Sequence, residues 1–158
     1  MRVAIAAVGR ARSAPEQALC DLYLERASPI AKKLGFGKLE LFVIDTSRAQ
    51  TAEARMADEA TKLLKHASSG HLVALDERGT APTSEAFARQ LAKLRDRGHD
   101  IGFLIGGPDG LAPSLRERAD ERLGFGAQTW PHLLVRAMLA EQIYRSLSIL
   151  SGHPYHRT

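Results

Sequence analysis

The 158-residue sequence has one cysteine and no long apolar run. A single thiol, Cys20, excludes an internal disulfide framework and is typical of proteins from reducing compartments. Its helix-like surroundings predict a small core residue rather than a nucleophile. No apolar stretch approaches the ~20 residues of a membrane span, and the short apolar run after Met1 favours a strand over a signal peptide. These absences predict a cytoplasmic protein.

A strong charge imbalance is also missing. The 22 Lys and Arg against 18 Asp and Glu give a net charge of +4, which permits a polyanionic partner without requiring one. There is no polybasic tail and no low-complexity segment. The sequence contains no G-x-G-x-x-G, Walker, G-x-S-x-G or H-E-x-x-H motif. Fingerprints of dinucleotide binding, P-loop phosphate binding, serine hydrolysis and zinc proteolysis are therefore absent.

Strand-like and helix-like segments alternate along the chain. Apolar runs predict buried strands at residues 2–9, 38–45, 71–76 and 101–107. Helical patterns are found at residues 14–27, 51–67, 83–98, within 111–123 and at 131–150. Thr129 is a possible cap of the last helix, and Leu19, Leu22 and Tyr23 share one face of the first. The alternation predicts one α/β domain over residues 1–158, with a mainly parallel sheet covered on both faces.

Three loops follow predicted strands and are candidate ligand loops, because such sheets bind ligands beyond the carboxyl ends of their strands. They are GRAR (9–12), DERGTAP (76–82) and GGPDGLAP (106–113). The glycines of LIGGPDGL (104–111) allow close approach to a ligand, although composition alone favours a plain strand-to-helix turn. In GFGAQTWPH (124–132), Phe125 or Trp130 either covers a planar ligand or packs in the core.

The C-terminal segment concentrates residues with chemical potential. Glu141 and Arg145 have i, i+4 spacing, for which a solvated salt bridge worth ~0.3–0.5 kcal/mol is the default interpretation. Tyr144 suits either a stacked base or core packing. His153 and His156 form H-x-x-H, but no carboxylate or cysteine lies near them at ligand spacing, so metal binding is disfavoured. The other histidines have no site-like spacing, and three are expected at the surface: His66, His71 and His99.

The combination of motifs is more specific than its parts. LIGGPDGL and, about twenty residues later, PHLLVRAMLAEQIYRSLSILSGHPYHR (131–157) resemble the RlmH family. These are SPOUT-class methyltransferases that act on N3 of a pseudouridine in 23S, the large-subunit, ribosomal RNA. AAVGR (6–10), VALDERG (73–79) and the total length belong to the same resemblance. It covers nearly the whole chain, and the last 55 residues carry most of its specificity.

The resemblance implies a SPOUT fold with a C-terminal trefoil knot, although knots are close to absent among folds in general. It implies an S-adenosylmethionine (SAM) pocket, with S-adenosylhomocysteine as product and no metal. The implied donor-binding residues are Leu75, Gly106, Gly107, Phe125, Gly126, Ala127, Gln128, Thr129 and Trp130. Family members are usually rich in serine and leucine where this chain has LGFGAQTW (123–130). Main-chain contacts are therefore expected to dominate there.

The HPYHR tail is a signature of the family and is expected over the donor methyl. Loss of the N3 proton precedes attack on the methyl group, and we expect His156, ahead of His153, to accept it. Tyr155 would stack on the flipped base. Arg145 and Arg157 would stabilise the uracil anion.

The resemblance also implies a homodimer with its pocket near the interface. The last helix offers apolar surface for a partner, at Leu133, Leu134, Ala137, Met138, Ile143 and Leu147. Because the chain has no appended RNA-binding domain, it is expected to recognise the assembled ribosome, with phosphate contacts at Arg10 and Arg12. Three alternatives remain open: a non-enzymatic ribosome-binding factor, a SPOUT methyltransferase acting on tRNA and, more distantly, a metal-dependent hydrolase.

Overall fold

The fold alternates strands and helices in the computed structural model, which describes residues 1–67 and 70–157. The strands are β1 (Val3–Val8), β2 (Leu39–Ile44), β3 (His71–Thr80), β4 (Ile101–Ile105) and β5 (Glu121–Leu123). The helices are α1 (Pro15–Lys33), α2 (Ala52–His66), α3 (Ser84–Asp96), α4 (Pro113–Arg118) and α5 (His132–Ser151). The predicted helices and strands are all present, with shifted ends.

The strands form one parallel sheet in the order β2-β1-β4-β3-β5. Alternate residues of β1, β3 and β4 enter two cores. Ile5 and Phe103 pack towards α1, α3 and α5, whereas Leu104 packs towards α2 and α4. Since both faces are covered, the strands read as continuous apolar runs, and the predicted parallel sheet with helices on both faces is confirmed.

Several boundaries differ from the prediction. Strand β3 continues to Thr80, so most of the predicted DERGTAP loop (76–82) is strand. Helix α1 continues through Pro29 to Lys33, because Ala31 and Phe36 are buried under its last turns. Strand β5 was not predicted and lies at the end of the segment 111–123, whose predicted short helix is α4. Its three residues are too few for a periodic signal, and its pairing with β3 is irregular. The N-cap of α5 is Pro131, not Thr129.

Helix α1 does not bury the predicted apolar face. Leu19 and Leu22 are 40% and 39% exposed, and α1 buries Cys20, Ala27 and Ala31 instead. The predicted core role of Cys20 is confirmed. Burial raises the pKa of its thiol to about 12, so the reactive thiolate is not populated at neutral pH. No helix in the described part of the chain is long and apolar enough to span a membrane.

Candidate active site

A cleft of about 630 Å³ opens where β3, β4 and β5 end, against the first turn of α5. Its volume lies within the ~300–1,000 Å³ typical of small-molecule sites. Seven of the nine predicted donor-binding residues line it, namely Leu75, Gly106, Gly107, Phe125, Gln128, Thr129 and Trp130. Gly126 and Ala127 are outside the lining and are exposed. Parallel strands thus bring together loops that are distant in sequence.

The loop after β4 forms one wall. It folds back on itself, because the Gly110 amide donates to the Gly107 carbonyl at 2.9 Å and Gly110 has a φ of +83°. A Cβ on Gly106 would lie 2.5 Å from the carbonyl carbon of Gly110 and 2.7 Å from the amide nitrogen of Leu111. The turn therefore requires glycine at residue 106, because a side chain there would collide with the backbone of the turn. The same turn forms a wall of the cleft.

An arginine that sequence reasoning missed holds this wall. Arg55 of α2 donates from Nε to Asp109 Oδ2 at 2.6 Å and from Nη2 to Asp109 Oδ1 at 3.1 Å. Its Nη1 also donates to the Ala49 carbonyl at 3.1 Å. The Arg55 hydrogen bonds lower the pKa of Asp109. The partners are 54 residues apart, so no local pattern could have indicated the pair.

The segment after β5 forms the opposite wall. Thr129 Oγ1 donates to Glu77 Oε2 at 2.6 Å, and the Trp130 indole donates to the Phe125 carbonyl at 3.2 Å. Trp130 is 37% exposed, whereas Phe125 packs partly against the core. Of the two aromatic residues for which core packing was the alternative to covering a ligand, only Phe125 packs against the core. Asp76, between the walls, lies 3.9 Å from Arg116.

A buried arginine joins α5 to the sheet beside the cleft. Arg136 is 1% exposed. Its Nη2 donates to the carbonyls of Val8 at 2.9 Å and Gly9 at 2.8 Å, and its Nη1 donates to Gln17 Oε1 at 2.8 Å. These contacts join the end of β1, the start of α1 and the first turns of α5. The sequence pattern gave no sign that this arginine is internal.

The tail packs on the other half of α5. The Tyr155 hydroxyl donates to Glu141 Oε1 at 3.0 Å, its ring lies 4.9 Å from the Arg145 guanidinium carbon, and it contacts Tyr144 at 4.5 Å between centroids. Burial, with hydrogen bonds to Glu141 and Tyr23, raises the pKa of Tyr155. The Glu141–Arg145 pair is present, with Arg145 Nε at 2.9 Å from Glu141 Oε1. It supports the tail and is not a solvated pair, and Tyr144 is a core residue.

The tail histidines have different environments. His156 Nε2 lies 2.8 Å from Glu85 Oε1 on α3, while its Nδ1 is buried without a hydrogen-bond partner in the described structure. His153 is exposed and accepts a hydrogen bond from the Tyr155 amide at 3.2 Å. Arg157 is exposed. No described tail residue lines the cleft, so one chain does not bring its own tail and cleft together.

The remaining predicted positions lie at the surface or near it. Arg10 forms an ion pair with Asp45 at 2.8 Å, and Arg12 is exposed. Of the three histidines expected at the surface, only His99 is exposed. The other two are half-buried: His66 stacks on the Phe42 ring at 4.9 Å, and His71 Nε2 lies 2.9 Å from Glu121 Oε1.

Comparison with known proteins decides the family. A family model described as "Predicted SPOUT methyltransferase" matches residues 1–156. The chain belongs to the SPOUT methyltransferase family. Proteins named "Ribosomal RNA large subunit methyltransferase H" from Bradyrhizobium diazoefficiens and Phenylobacterium zucineum are 51% identical over 160 residues and 48% identical over 158. Each alignment covers 99% of this chain and 99% of the relative.

The fold of this SPOUT methyltransferase has a solved counterpart. A probable methylase family protein from Haemophilus influenzae Rd KW20 is 12% identical, with a TM-score of 0.50, over 99% of this chain and 70% of that one. At this identity the likeness concerns the fold alone. The predicted SPOUT fold class, with its parallel sheet and helices, is confirmed. The trefoil knot stays a prediction.

Proposed function

We propose that this SPOUT methyltransferase transfers a methyl group from SAM to N3 of a pseudouridine in 23S ribosomal RNA, on the assembled ribosome. The observation that carries the proposal is the near-full-length similarity to proteins named for methylation of large-subunit ribosomal RNA. The cleft lined by seven of nine predicted donor-binding residues supports it. The proposal treats residues 1–158 as one cytoplasmic methyltransferase domain.

The cleft residues fit the chemistry of SAM. Phe125 and Trp130 offer aromatic surface to a planar adenine. The carboxylates of Asp76 and Glu77 suit hydroxyl and ammonium groups, and the glycine turn presents main-chain atoms. When bound, SAM supplies an electrophilic methyl group on a positively charged sulfur. Nothing in this chemistry calls for a metal ion.

The Arg55–Asp109 contact is expected to matter for donor binding. Arg55→Met removes both hydrogen bonds to Asp109 and frees the glycine turn from α2, so we expect SAM affinity to fall roughly tenfold, or about 1.4 kcal/mol. Isothermal titration calorimetry measures it. Lys62→Met, which breaks an exposed ion pair with Asp58 on the same helix, is the control. Equal affinity in both variants would contradict the role of Arg55.

We infer that two copies associate across a groove between α1 and α5. The groove has a volume of about 390 Å³, and Leu19, Tyr23, Leu134 and Met138 are among its lining residues. Phe125 lines both the groove and the cleft, so a partner on the groove adjoins the donor site. Of the predicted residues on α5, Leu134 and Met138 line the groove and are partly exposed, whereas Leu133 lies outside its lining. This chain's own core buries Ala137, Ile143 and Leu147. A C2 dimer is the commonest arrangement for such a surface.

A charged side chain introduced into this groove by substitution is expected to dissociate the dimer. Leu19→Glu buries a carboxylate in the interface, so we expect the dimer dissociation constant to rise more than ~100-fold. Leu19 is 40% exposed in the single chain, so its fold should survive. Light scattering coupled to size exclusion gives the mass, and Ser28→Glu on exposed surface of α1 is the control. A wild-type monomer, or a variant that remains dimeric at micromolar concentration, would contradict the interface.

A dimer accounts for the position of the tail. Because Tyr155 and His156 are not among the residues that line their own cleft, we infer that each tail serves the cleft of the partner subunit. Tyr155 then stacks on the pseudouridine base, while Arg145 and Arg157 stabilise the anion that forms on deprotonation of N3. Proton acceptance by His156 or His153 stays a prediction, and the Glu85 contact of His156 has to open for it.

Recognition of the substrate is proposed to depend on shape as well as charge. A net charge of +4 is small for selecting one nucleotide in free RNA. Arg12, which is exposed after β1, is the more available phosphate contact, since Arg10 is paired with Asp45. Assembled ribosomal RNA supplies a shaped site that such a small protein can use.

The test of the donor and RNA class uses total RNA and ribosomes from cells lacking the enzyme. Purified protein is incubated with these and methyl-labelled SAM, and the label is assigned to ribosomal RNA or tRNA after separation. Label in 23S RNA supports the proposal. Label in tRNA would establish the alternative SPOUT activity, and ribosome binding without label would establish a non-enzymatic factor.

A further inference from the structure

A histidine in the cleft has no role so far. His132 is the first residue of α5 and lines the cleft. Its ring packs against Gly9 at the end of β1, where φ is +98° and an added Cβ would lie 2.7 Å from His132 Nε2. Glycine at residue 9 thus provides both the backbone turn and the space for the imidazole. The ring lies between the donor cleft and the loop that carries Arg10 and Arg12.

The ring nitrogens of His132 are unused. Within residues 1–67 and 70–157, neither nitrogen has a hydrogen-bond partner, and neither is among the atoms fully buried without one. By contrast, His71, His153 and His156 all use a ring nitrogen. His132 is therefore a cleft-lining histidine whose ring nitrogens have no hydrogen-bond partner in the described structure.

The surroundings keep this imidazole neutral. Desolvation lowers the pKa of His132, and the nearby Arg136 guanidinium lowers it further, so the ring is unprotonated at neutral pH. Other charged groups line the same cleft: Asp76, Glu77, Asp109 and Arg116. A neutral imidazole can accept a proton, and the buried Arg136 holds the helix turn that carries it.

We propose that His132 is the group in the cleft that receives the N3 proton of the substrate base. The N3–H bond breaks and its proton moves to a His132 ring nitrogen. The N3 electron pair forms the bond to the methyl carbon, the carbon–sulfur bond breaks, and its electron pair stays on sulfur. The imidazolium then releases the proton to water. This inference rests on the proposed function and deepens it.

The competing acceptor is His156. Its Nε2 is bonded to Glu85 and its Nδ1 is buried, so it needs a rearrangement of the tail before either nitrogen is available. His132 needs none. The two histidines lie on different elements, and in the proposed dimer they belong to different subunits at one site. Single variants therefore separate their contributions.

The test compares the pH dependence of methyl transfer in His132→Gln, His156→Gln and the wild type. We expect the rate of methyl transfer by His132→Gln to be about 10²-fold lower than wild type at about pH 7, the lower range for general-base catalysis. The rate should approach that of the wild type as the pH rises, because N3 then ionises without a general base. His99→Gln, at an exposed histidine, is the control. SAM affinity by calorimetry should change less than about threefold, and the NMR titration of His132 should show a pKa below the ~6.5 of an unperturbed histidine.

A second variant guards against misfolding. His132→Gly leaves room beside Gly9, and added imidazole should restore transfer in it but not in His156→Gly. A deficit in His132→Gln that is constant across pH, without imidazole rescue, would overturn the inference and leave the proposed function intact. A pH-dependent deficit in His156→Gln instead would assign the proton to the tail. Wild-type protein without transfer at any pH would refute the proposed function itself.

Discussion

Tyr155→Ala is expected to lower methyl transfer at least ~100-fold while SAM affinity stays within about twofold. The substitution removes the ring that packs beside Arg145 and the hydroxyl that donates to Glu141, so the base and the guanidinium both lose their positions. Donor binding survives because Tyr155 does not line the cleft. Single-turnover transfer and calorimetry measure the two quantities.

Tyr155→Phe is the matched control, since it keeps the ring and removes only the hydroxyl, with its hydrogen bonds to Glu141 and Tyr23. We expect a loss of about tenfold or less, in keeping with one hydrogen bond to a charged group. Full turnover in Tyr155→Ala would remove the tail from the mechanism. Loss of SAM binding in the same variant would show that the tail is part of the donor site.

Mixed dimers distinguish action on the partner from action within one chain. A dimer purified through two tags, with Tyr155→Ala in one subunit and Gly106→Ala in the other, retains one intact tail and one intact cleft on different chains. If tails serve partner clefts, such dimers keep about half of wild-type activity, one of two symmetric sites. If tails act on their own chain, they are inactive.

Gly106→Ala is expected to weaken SAM binding at least ~100-fold. The added Cβ would lie 2.5 Å from the Gly110 carbonyl carbon, a backbone atom that cannot turn aside as a side chain can. The glycine turn therefore has to move, and a hundredfold loss of affinity corresponds to about 2.7 kcal/mol of binding free energy. Calorimetry gives the affinity, and thermal unfolding checks that the variant is folded.

Gly126→Ala is the control for this substitution. Gly126 has a φ of +97°, so alanine there costs ~1–2 kcal/mol of local backbone energy, yet no atom lies within 4 Å of its added Cβ. We expect SAM affinity to fall less than about fivefold, because residue 126 lies outside the cleft lining. Equal losses in the two variants would mean that glycine flexibility, and not the packed turn after β4, governs donor binding.

Sequence periodicity predicted the fold class well, for a physical reason. Strands buried on both faces appear as apolar runs, and amphipathic helices between them leave few arrangements other than a covered parallel sheet. Strand β5 was not predicted, because three residues are too few to show a hydrophobic periodicity. The exposure of Leu19 and Leu22 was missed because apolar residues on one helix face indicate that the face is buried. They do not indicate whether the chain's own core or a partner buries it.

The candidate site was predicted in part, and mostly through resemblance. Strand–glycine junctions indicated where a ligand would bind, but only the resemblance assigned SAM and the tail. Arg55, His132 and Arg136 were missed because their roles depend on partners far away in sequence. The sequence does not distinguish a buried arginine from a solvated one, or a histidine without hydrogen-bond partners from one that has them.

The most direct test of the central claim is transfer of labelled methyl from SAM to three substrates that lack the modification. They are assembled ribosomes, isolated large subunits and stripped 23S RNA, with the labelled nucleoside identified by mass spectrometry. Our account predicts one N3-methylated pseudouridine in assembled particles and little or none in stripped RNA. Label at another nucleotide, or no label in any sample although the protein binds ribosomes, would contradict it.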